Sequence, residues 1–216
     1  MIMAKGIFIT AVGTDIGKTT VSCILIKLLK KRGIDCGVMK PVQCAGNDAE
    51  ILMRASCVKD GKVLVNPFFL KHSYAPLLAF KKEGIKFRKK IVLDSFEKLS
   101  NLHQFMLVEG AGGLLVPLTK DYFISDLAAD LGLPLVIVAD VGLGAINHTL
   151  LTIEHAKNKG LKIAGLIFNT RGPRPGVVES TNPGIIKSIS NIPVLGVVPH
   201  NNFRNIKIML DGIINA

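Results

Sequence analysis

The stretch Ile7-Phe8-Ile9-Thr10-Ala11-Val12-Gly13-Thr14-Asp15-Ile16-Gly17-Lys18-Thr19-Thr20 decides the fold. Its opening run, Ile7–Thr10, is β-branched and aromatic without polar alternation, the composition of a strand buried on both faces. After the glycine-bearing loop, Val21, Leu25, Leu28 and Leu29 recur at helical period through Val21–Lys31, and Gly33 ends the pattern. Strand, glycine loop and helix in that order are the context of a Walker A phosphate loop. Gly13 and Gly17 let backbone N–H groups turn inward and the helix start adds positive potential. Lys18 can reach terminal phosphate oxygens, and the Thr19 hydroxyl can hold Mg²⁺. The G-x-x-x-x-G-K-[ST] pattern asks for glycine at position 12, where this chain has Val12. A plain glycine turn capping a helix is the alternative, and G-K-T-T in this setting weighs against it.

Similar apolar runs recur at Gly37–Val42, Phe105–Glu109, Leu135–Asp140, Ile163–Asn169 and Val194–Pro199, with a helical stretch, Asn147–Lys159, before Gly160. Strands alternating with helices predict an α/β fold of P-loop NTPase type, a mostly parallel sheet with helices on both faces. Chemistry is then expected at the carboxyl ends of the strands. No repeat or linker divides residues 1–216, so one domain is expected, and the Gly- and Pro-rich Thr170–Pro183 reads as a long loop.

The strand-end residues carry the candidate chemistry. Glu109 closes its run and precedes Gly110-Ala111-Gly112-Gly113, where a magnesium ligand beside phosphates would sit. A strand-end glutamate facing water is the alternative. Lys40 ends the second run and could neutralise charge during phosphoryl transfer. Asp48, in Asn47-Asp48-Ala49-Glu50, reads equally as a helix N-cap or a further metal ligand.

Composition sets the bounds. The 216 residues are 49% hydrophobic and 20% charged, too apolar for disorder. The longest apolar run, Leu131–Ile146, is broken by Asp140 and by Gly and Pro, so no membrane span is expected. The apolar residues after Met1 run into a glycine loop instead of a cleavage site, so no secretory signal is expected. Cys23, Cys36, Cys44 and Cys57 show no C-x-x-C or zinc-ligand spacing, which fits a reducing cytoplasm. The charge of +11 raises the question of an anionic partner, since six basic residues fall in Lys81–Lys90. Only Phe87 there offers a stacking ring, so a solvated basic face is preferred to nucleic-acid binding.

Five ordered motifs together resemble the dethiobiotin synthetases, a branch of the P-loop ATPases. Thr14-Asp15-Ile16-Gly17-Lys18-Thr19 is similar to that family's T-(D/E)-x-G-K-T, and Lys40-Pro41-Val42 to its K-P-V. Ala75-Pro76-Leu77-Leu78-Ala79 resembles its A-P-x-x-A block, Val108–Gly113 its V-E-G-A-G-G, and Gly144-Ala145-Ile146-Asn147-His148 its G-x-I-N-H. The resemblance covers nearly the whole chain. It implies an ATP-dependent cyclo-ligase of biotin biosynthesis that carboxylates 7,8-diaminopelargonic acid with CO₂ and closes a ureido ring, releasing ADP and phosphate.

By that resemblance ATP is held by Gly13, Asp15, Ile16, Gly17, Lys18, Thr19 and Thr20, with Glu109, Asn169 and Pro199 nearby. Thr19, Asp48 and Glu109 gather Mg²⁺, and Thr14, Lys18 and Lys40 are the catalytic set. The diamine is received by Thr14, Lys40, Cys44 and Gly112, and by Gly144, Ala145, Ile146 and Asn147 across a homodimer interface. Asn147 with the adjacent N–H groups corresponds to a carboxylate site, although by composition it equally caps a helix. Asn169 corresponds to an adenine-reading asparagine, whereas without the resemblance it reads as a turn start. His148 reads as packed or capping. The chain departs from the family at Ala11, which stands for the loop's first glycine, and at Cys44, which stands for a serine. It is also short between Lys40 and Asp48. A ParA- or MinD-like ATPase switch is the rival, but the extra lysine of that group has no basic counterpart early in this loop. An amide synthase would need a glutaminase domain for which there is no room.

Overall fold

The computed structural model describes residues 5–170, 172, 176–200 and 206–216. β1 (Gly6–Ala11) passes through the glycine loop into α1 (Lys18–Lys31), followed by β2 (Cys36–Met39), β3 (Val42–Cys44), α2 (Asp48–Ser56) and α3 (Lys62–Val65). Then come β4 (Phe68–Leu70), α4 (Pro76–Glu83), α5 (Lys89–Ser100), β5 (Phe105–Glu109), α6 (Ile124–Leu131) and β6 (Leu135–Asp140). α7 (Ala145–Asn158), β7 (Ile163–Asn169), α8 (Val177–Ser190), β8 (Val194–Val198) and α9 (Asp211–Ile214) complete the described elements.

Six strands form one sheet in the order β2-β5-β1-β6-β7-β8, with every pairing parallel. β1 and β5 are buried throughout, as expected of apolar runs covered on both faces. α1 lays Val21, Ser22, Leu25, Ile26 and Leu29 into the core. Each of its buried leucines and isoleucines contributes about 1.5–3 kcal/mol of transfer free energy. The chain leaves β1 for the sheet edge at β2, returns to β5 beside β1, then crosses to β6 on β1's other side. The carboxyl tips of β5, β1 and β6 are therefore where the strand order reverses, the place for a ligand crevice in such sheets.

Two expectations need correction. The run Gly37–Val42 is not one strand: β2 ends at Met39, and Val42–Cys44 pairs instead with β4 in a separate two-stranded sheet. Pro41 has no N–H to continue the first ladder, and the Lys40 N–H turns to the Val65 carbonyl at 2.8 Å. Thr170–Pro183 is not one long loop either, since α8 begins at Val177 and contains Pro183. Glu179 accepts a hydrogen bond from the Gly176 N–H at 2.9 Å, buried Ile186 packs in the core, and Asn182 Nδ2 donates to the Val141 and Gly142 carbonyls. Packing and these side-chain bonds outweigh the N–H that Pro183 lacks.

The basic decamer joins α4 to α5. Phe87 is half-buried against Phe68, Phe80 and Tyr122, with ring centroids 5.3–5.7 Å apart, so it is no free stacking platform. Lys89 pairs with Asp130 at 3.0 Å and Lys90 with Asp94 at 2.9 Å. Among the described residues no helix is long and apolar enough to cross a membrane.

One tie away from the strand tips is pH-dependent. His103, just before β5, places Nδ1 2.9 Å from Asp35 and Nε2 2.9 Å from Asp60, joining three loops at the amino end of the sheet. Burial alone would lower its pKa, but the two carboxylates outweigh burial and raise it above 6.5. A raised folded-state value stabilises the fold fully below the unfolded imidazole pKa, and that contribution fades as pH rises through the folded value. Thermal melts of the wild-type chain should thus lose stability above about pH 6.5 relative to His103→Gln. Parallel pH profiles for the two would show that His103 carries no linked proton.

Candidate functional site

Gly17 is the N-cap of α1 and adopts φ 96°, in the left-handed region. A Cβ here would also run into Asn169 Nδ2, so both conformation and space favour glycine. Asn169, at the tip of β7, donates from Nδ2 to the Ile16 carbonyl at 2.8 Å and so braces the loop. Lys18 is buried and its Nζ points back toward the Gly13 carbonyl at 3.4 Å. Burial first, and then the positive charge of Lys40, lower its pKa.

Beneath the loop lies a buried charge network. Glu109, at the tip of β5, is wholly buried. Its Oε1 accepts from Thr19 Oγ1 at 2.9 Å and from Lys40 Nζ at 2.7 Å, while Oε2 accepts from Ser22 Oγ at 2.6 Å. Lys40 Nζ also contacts Asp48 Oδ2 at 2.9 Å and donates to the Gly110 carbonyl at 3.2 Å. Three partners match the three N–H bonds of the ammonium. Burial would depress its pKa, but Glu109 and Asp48 outweigh it and hold the pKa above the ordinary lysine value. A water-facing Glu109 is thereby ruled out. Asp48 is the first residue of α2, preceded by Asn47 at the cap, and its carboxylate goes to Lys40, which corrects the N-cap alternative. Gln43 holds α2 in place, its amide donating to the Gly46 carbonyl and accepting from the Ala49 N–H, both at 2.9 Å.

The network borders a cleft of about 720 Å³. Thr14, Asp15, Gly17, Lys18, Thr19, Thr20, Lys40, Cys44, Asp48 and Gly112 all line it, as do Gln43, Tyr74, Ala75, Pro76 and Val116. Ser22 is the buried participant that sequence reasoning missed. Its position three residues after Thr19, on the same face of α1, was the available signal. Cys44 is half-buried, and burial pushes its thiol up to about 11, leaving a neutral, weak hydrogen bonder.

Other expected residues lie elsewhere. Gly13 lines a second recess of about 380 Å³, which Thr14 borders together with the large cleft and whose far wall is His148, Leu151, Thr152 and His155 of α7. Gly144, at φ 85°, is the N-cap of α7, which starts at Ala145. Asn147 is therefore the third helical residue and exposed, correcting both its cap alternative and the helix boundary. Gly144–Asn147 does not line the large cleft. His148 is exposed, with its ring beside Gly144. Pro199 is exposed just past β8, and residues 201–205 of its loop lie outside the described residues.

The Thr19 hydroxyl and the Asp48 and Glu109 carboxylates are hard oxygen donors of the kind Mg²⁺ takes. A cation, the Lys40 ammonium, already bridges the two carboxylates, so the seat suits positive charge. Among the described residues no three His, Cys, Asp or Glu side chains could form a metal site by themselves. A bound Mg²⁺ would thus draw on nucleotide and water oxygens as well.

Glycine loop, buried strand-end glutamate and central parallel sheet define a P-loop nucleotide-binding protein, and a family model described as an AAA domain matches residues 5–203. Solved structures share the fold at low identity. The MinC:MinD cell division complex of Aquifex aeolicus superposes with a TM-score of 0.60 at 17% identity, covering 92% of this chain and 82% of that one. The signal recognition particle receptor FtsY of Elizabethkingia anophelis gives 0.58 at 15% identity, with 99% and 66% covered. Sequence relatives are much nearer. The ATP-dependent dethiobiotin synthetase BioD of Bacillus licheniformis is 40% identical over 201 residues, 90% of this chain and 86% of the relative. Those of Endomicrobium trichonymphae and Methanocaldococcus jannaschii are 41% and 40% identical, each over 89% of this chain and 92% of the relative. The chain belongs to the ATP-dependent dethiobiotin synthetase family.

Proposed function

We propose that residues 1–216 work as one cytoplasmic unit that uses ATP and CO₂ to convert 7,8-diaminopelargonic acid to dethiobiotin. The observation that carries this reading is the Thr19–Glu109–Lys40–Asp48 network on the cleft it shares with Lys18. Gly13–Thr20 hold the triphosphate through backbone N–H groups and the Lys18 ammonium. Thr19, Asp48 and Glu109 hold Mg²⁺, which when bound offsets phosphate charge. The diamine takes up CO₂ as a carbamate near Thr14 and Lys40, and the carbamate oxygen accepts the γ-phosphoryl group. Its second amine then attacks the carbamoyl carbon, closing the ring as phosphate leaves. The transition states are crowded with anions, and Lys18 and Lys40 supply the fixed positive charge. The Asn169 Oδ1 is left to meet adenine while its amide N–H braces Ile16, and Pro199 borders the base.

Asn147 stands outside the cleft walls, and Ile146 and Asn147 sit in the first turn of α7, whose N–H groups no helix carbonyl receives. We place the substrate carboxylate there, from the partner subunit of a homodimer. Leu115 and Leu151 beside it are about 61% and 60% exposed, and Leu143 is 88% exposed, an apolar surface suited to a second copy.

Phosphate release should require both the diamine and bicarbonate, because the carbamate is the acceptor and water a poor one. Equal ATP hydrolysis without diamine would sink the synthetase reading in favour of an ATPase switch. Asn147→Ala should raise KM for the diamine by roughly tenfold to a hundredfold and spare that for ATP, since one charge-assisted bond is worth about 1.5–3 kcal/mol. Mixing it with Lys40→Ala should restore part of the activity, because a mixed dimer regains one intact site. Intact diamine KM and no rescue would remove Asn147 from the site.

A further inference from the structure

Lys40 has its backbone fixed at both ends of the residue. Its N–H donates to the Val65 carbonyl, and its own carbonyl accepts from Asn66 Nδ2 at 2.6 Å. Only the side chain is free to move, and its ammonium sits between the two carboxylates assigned above to the metal. Glu109 cannot turn to offer a fresh oxygen, because Ser22 holds Oε2 at 2.6 Å and Thr19 shares Oε1. A divalent ion coordinating Glu109 Oε1 at the about 2.0–2.1 Å typical of Mg²⁺ would need electron pairs that Lys40 now occupies.

We propose that the Lys40 ammonium and the divalent cation exchange at one seat between Asp48 and Glu109, so that loading metal and nucleotide drives Lys40 into the substrate cleft. The exchange rests on Asp48 and Glu109 being metal ligands. Without a metal, Lys40 offsets one of the two negative charges of the carboxylate pair and keeps Glu109 from standing buried and unpaired. Once a divalent ion takes over that duty, the freed ammonium lies beside Thr14, Cys44 and Gly112, where the anion to be phosphorylated would be. The order of events follows from the geometry: Lys40 becomes available to substrate only after the metal is seated.

Mn²⁺, titrated by electron paramagnetic resonance against the full chain without nucleotide, tests the exchange. Lys40→Met should bind Mn²⁺ about tenfold or more tighter than wild type, and adding Asp48→Asn should erase the gain. Unchanged or weaker Mn²⁺ binding by Lys40→Met, with Asp48→Asn alone still weakening Mn²⁺ binding in the presence of ATP, would overturn the exchange but keep the metal ligands. No effect of Asp48→Asn with ATP present would remove Asp48 from the metal site and the exchange with it. The unaltered chain supplies a second readout if Lys40→Met folds poorly. The ¹⁵N-edited ammonium signal of Lys40 should be exchange-protected in metal-free protein and move or lose protection on adding Mg²⁺ with a non-hydrolysable ATP analogue. A protected, unmoved signal at saturation would overturn the proposal.

Discussion

Lys18→Gln should lower kcat/KM for ATP by on the order of 10²–10³, the scale seen when one preorganised charge-stabilising donor is removed from an active site. Both kcat and KM should suffer. The ammonium would contact the triphosphate in the ground state and meet greater charge as the phosphoryl group transfers, so the loss has a uniform and a differential part. Lys18 is buried, with Lys40 close enough to lower its pKa, so glutamine there relieves repulsion between two cations as well as removing a donor. Thermal stability without nucleotide should therefore fall little or rise, and ATP should raise the Tm of the wild type but not that of the variant. Wild-type kinetics for Lys18→Gln would show that the glycine loop does not hold triphosphate.

Glu109→Gln should be the most destabilising single change at the site. All three hydrogen bonds to Glu109 come from donors, and an amide must turn its NH₂ toward one of them. Lys40, whose side chain is 4% exposed, would keep its charge and lose its most buried counter-ion. Breaking such a pair typically costs about 3–5 kcal/mol, a fall in Tm of roughly 10 °C for a chain of this size. Adding Lys40→Met to Glu109→Gln should recover part of that loss, since removing both charges costs less than stranding one. Chemical denaturation of the four proteins measures the coupling. A Glu109→Gln variant within about 1 kcal/mol of wild type would mean that the network contributes little net stability.

The site was legible in the sequence where function depends on a short stretch of backbone. Gly17-Lys18-Thr19 after an apolar run dictates strand, loop and helix, because unbroken apolarity, glycine freedom and helical period act over a few residues. Lys40 and Glu109 were legible for the same reason, each ending an apolar run. Where local signals conflict with packing, they misled. Thr170–Pro183 read as loop, yet Ile186 and Asn182 anchor a helix that runs through Pro183. Gly37–Val42 read as one strand because side-chain composition does not reveal that Pro41 ends one ladder and Val42 joins another.

What this sequence determined by itself was the list of elements, the α/β class and the residue types at each strand tip. Only the tertiary structure decided that Thr19 and Ser22 converge on a glutamate 90 and 87 residues away and that Lys40 bridges Glu109 to Asp48. It also decided that α7 begins outside the cleft. Element formation depends on neighbours in sequence. The meeting of β1, β2 and β5 tips follows instead from strand order, set by which apolar faces bury together most completely, a sum over the whole core that no local window contains.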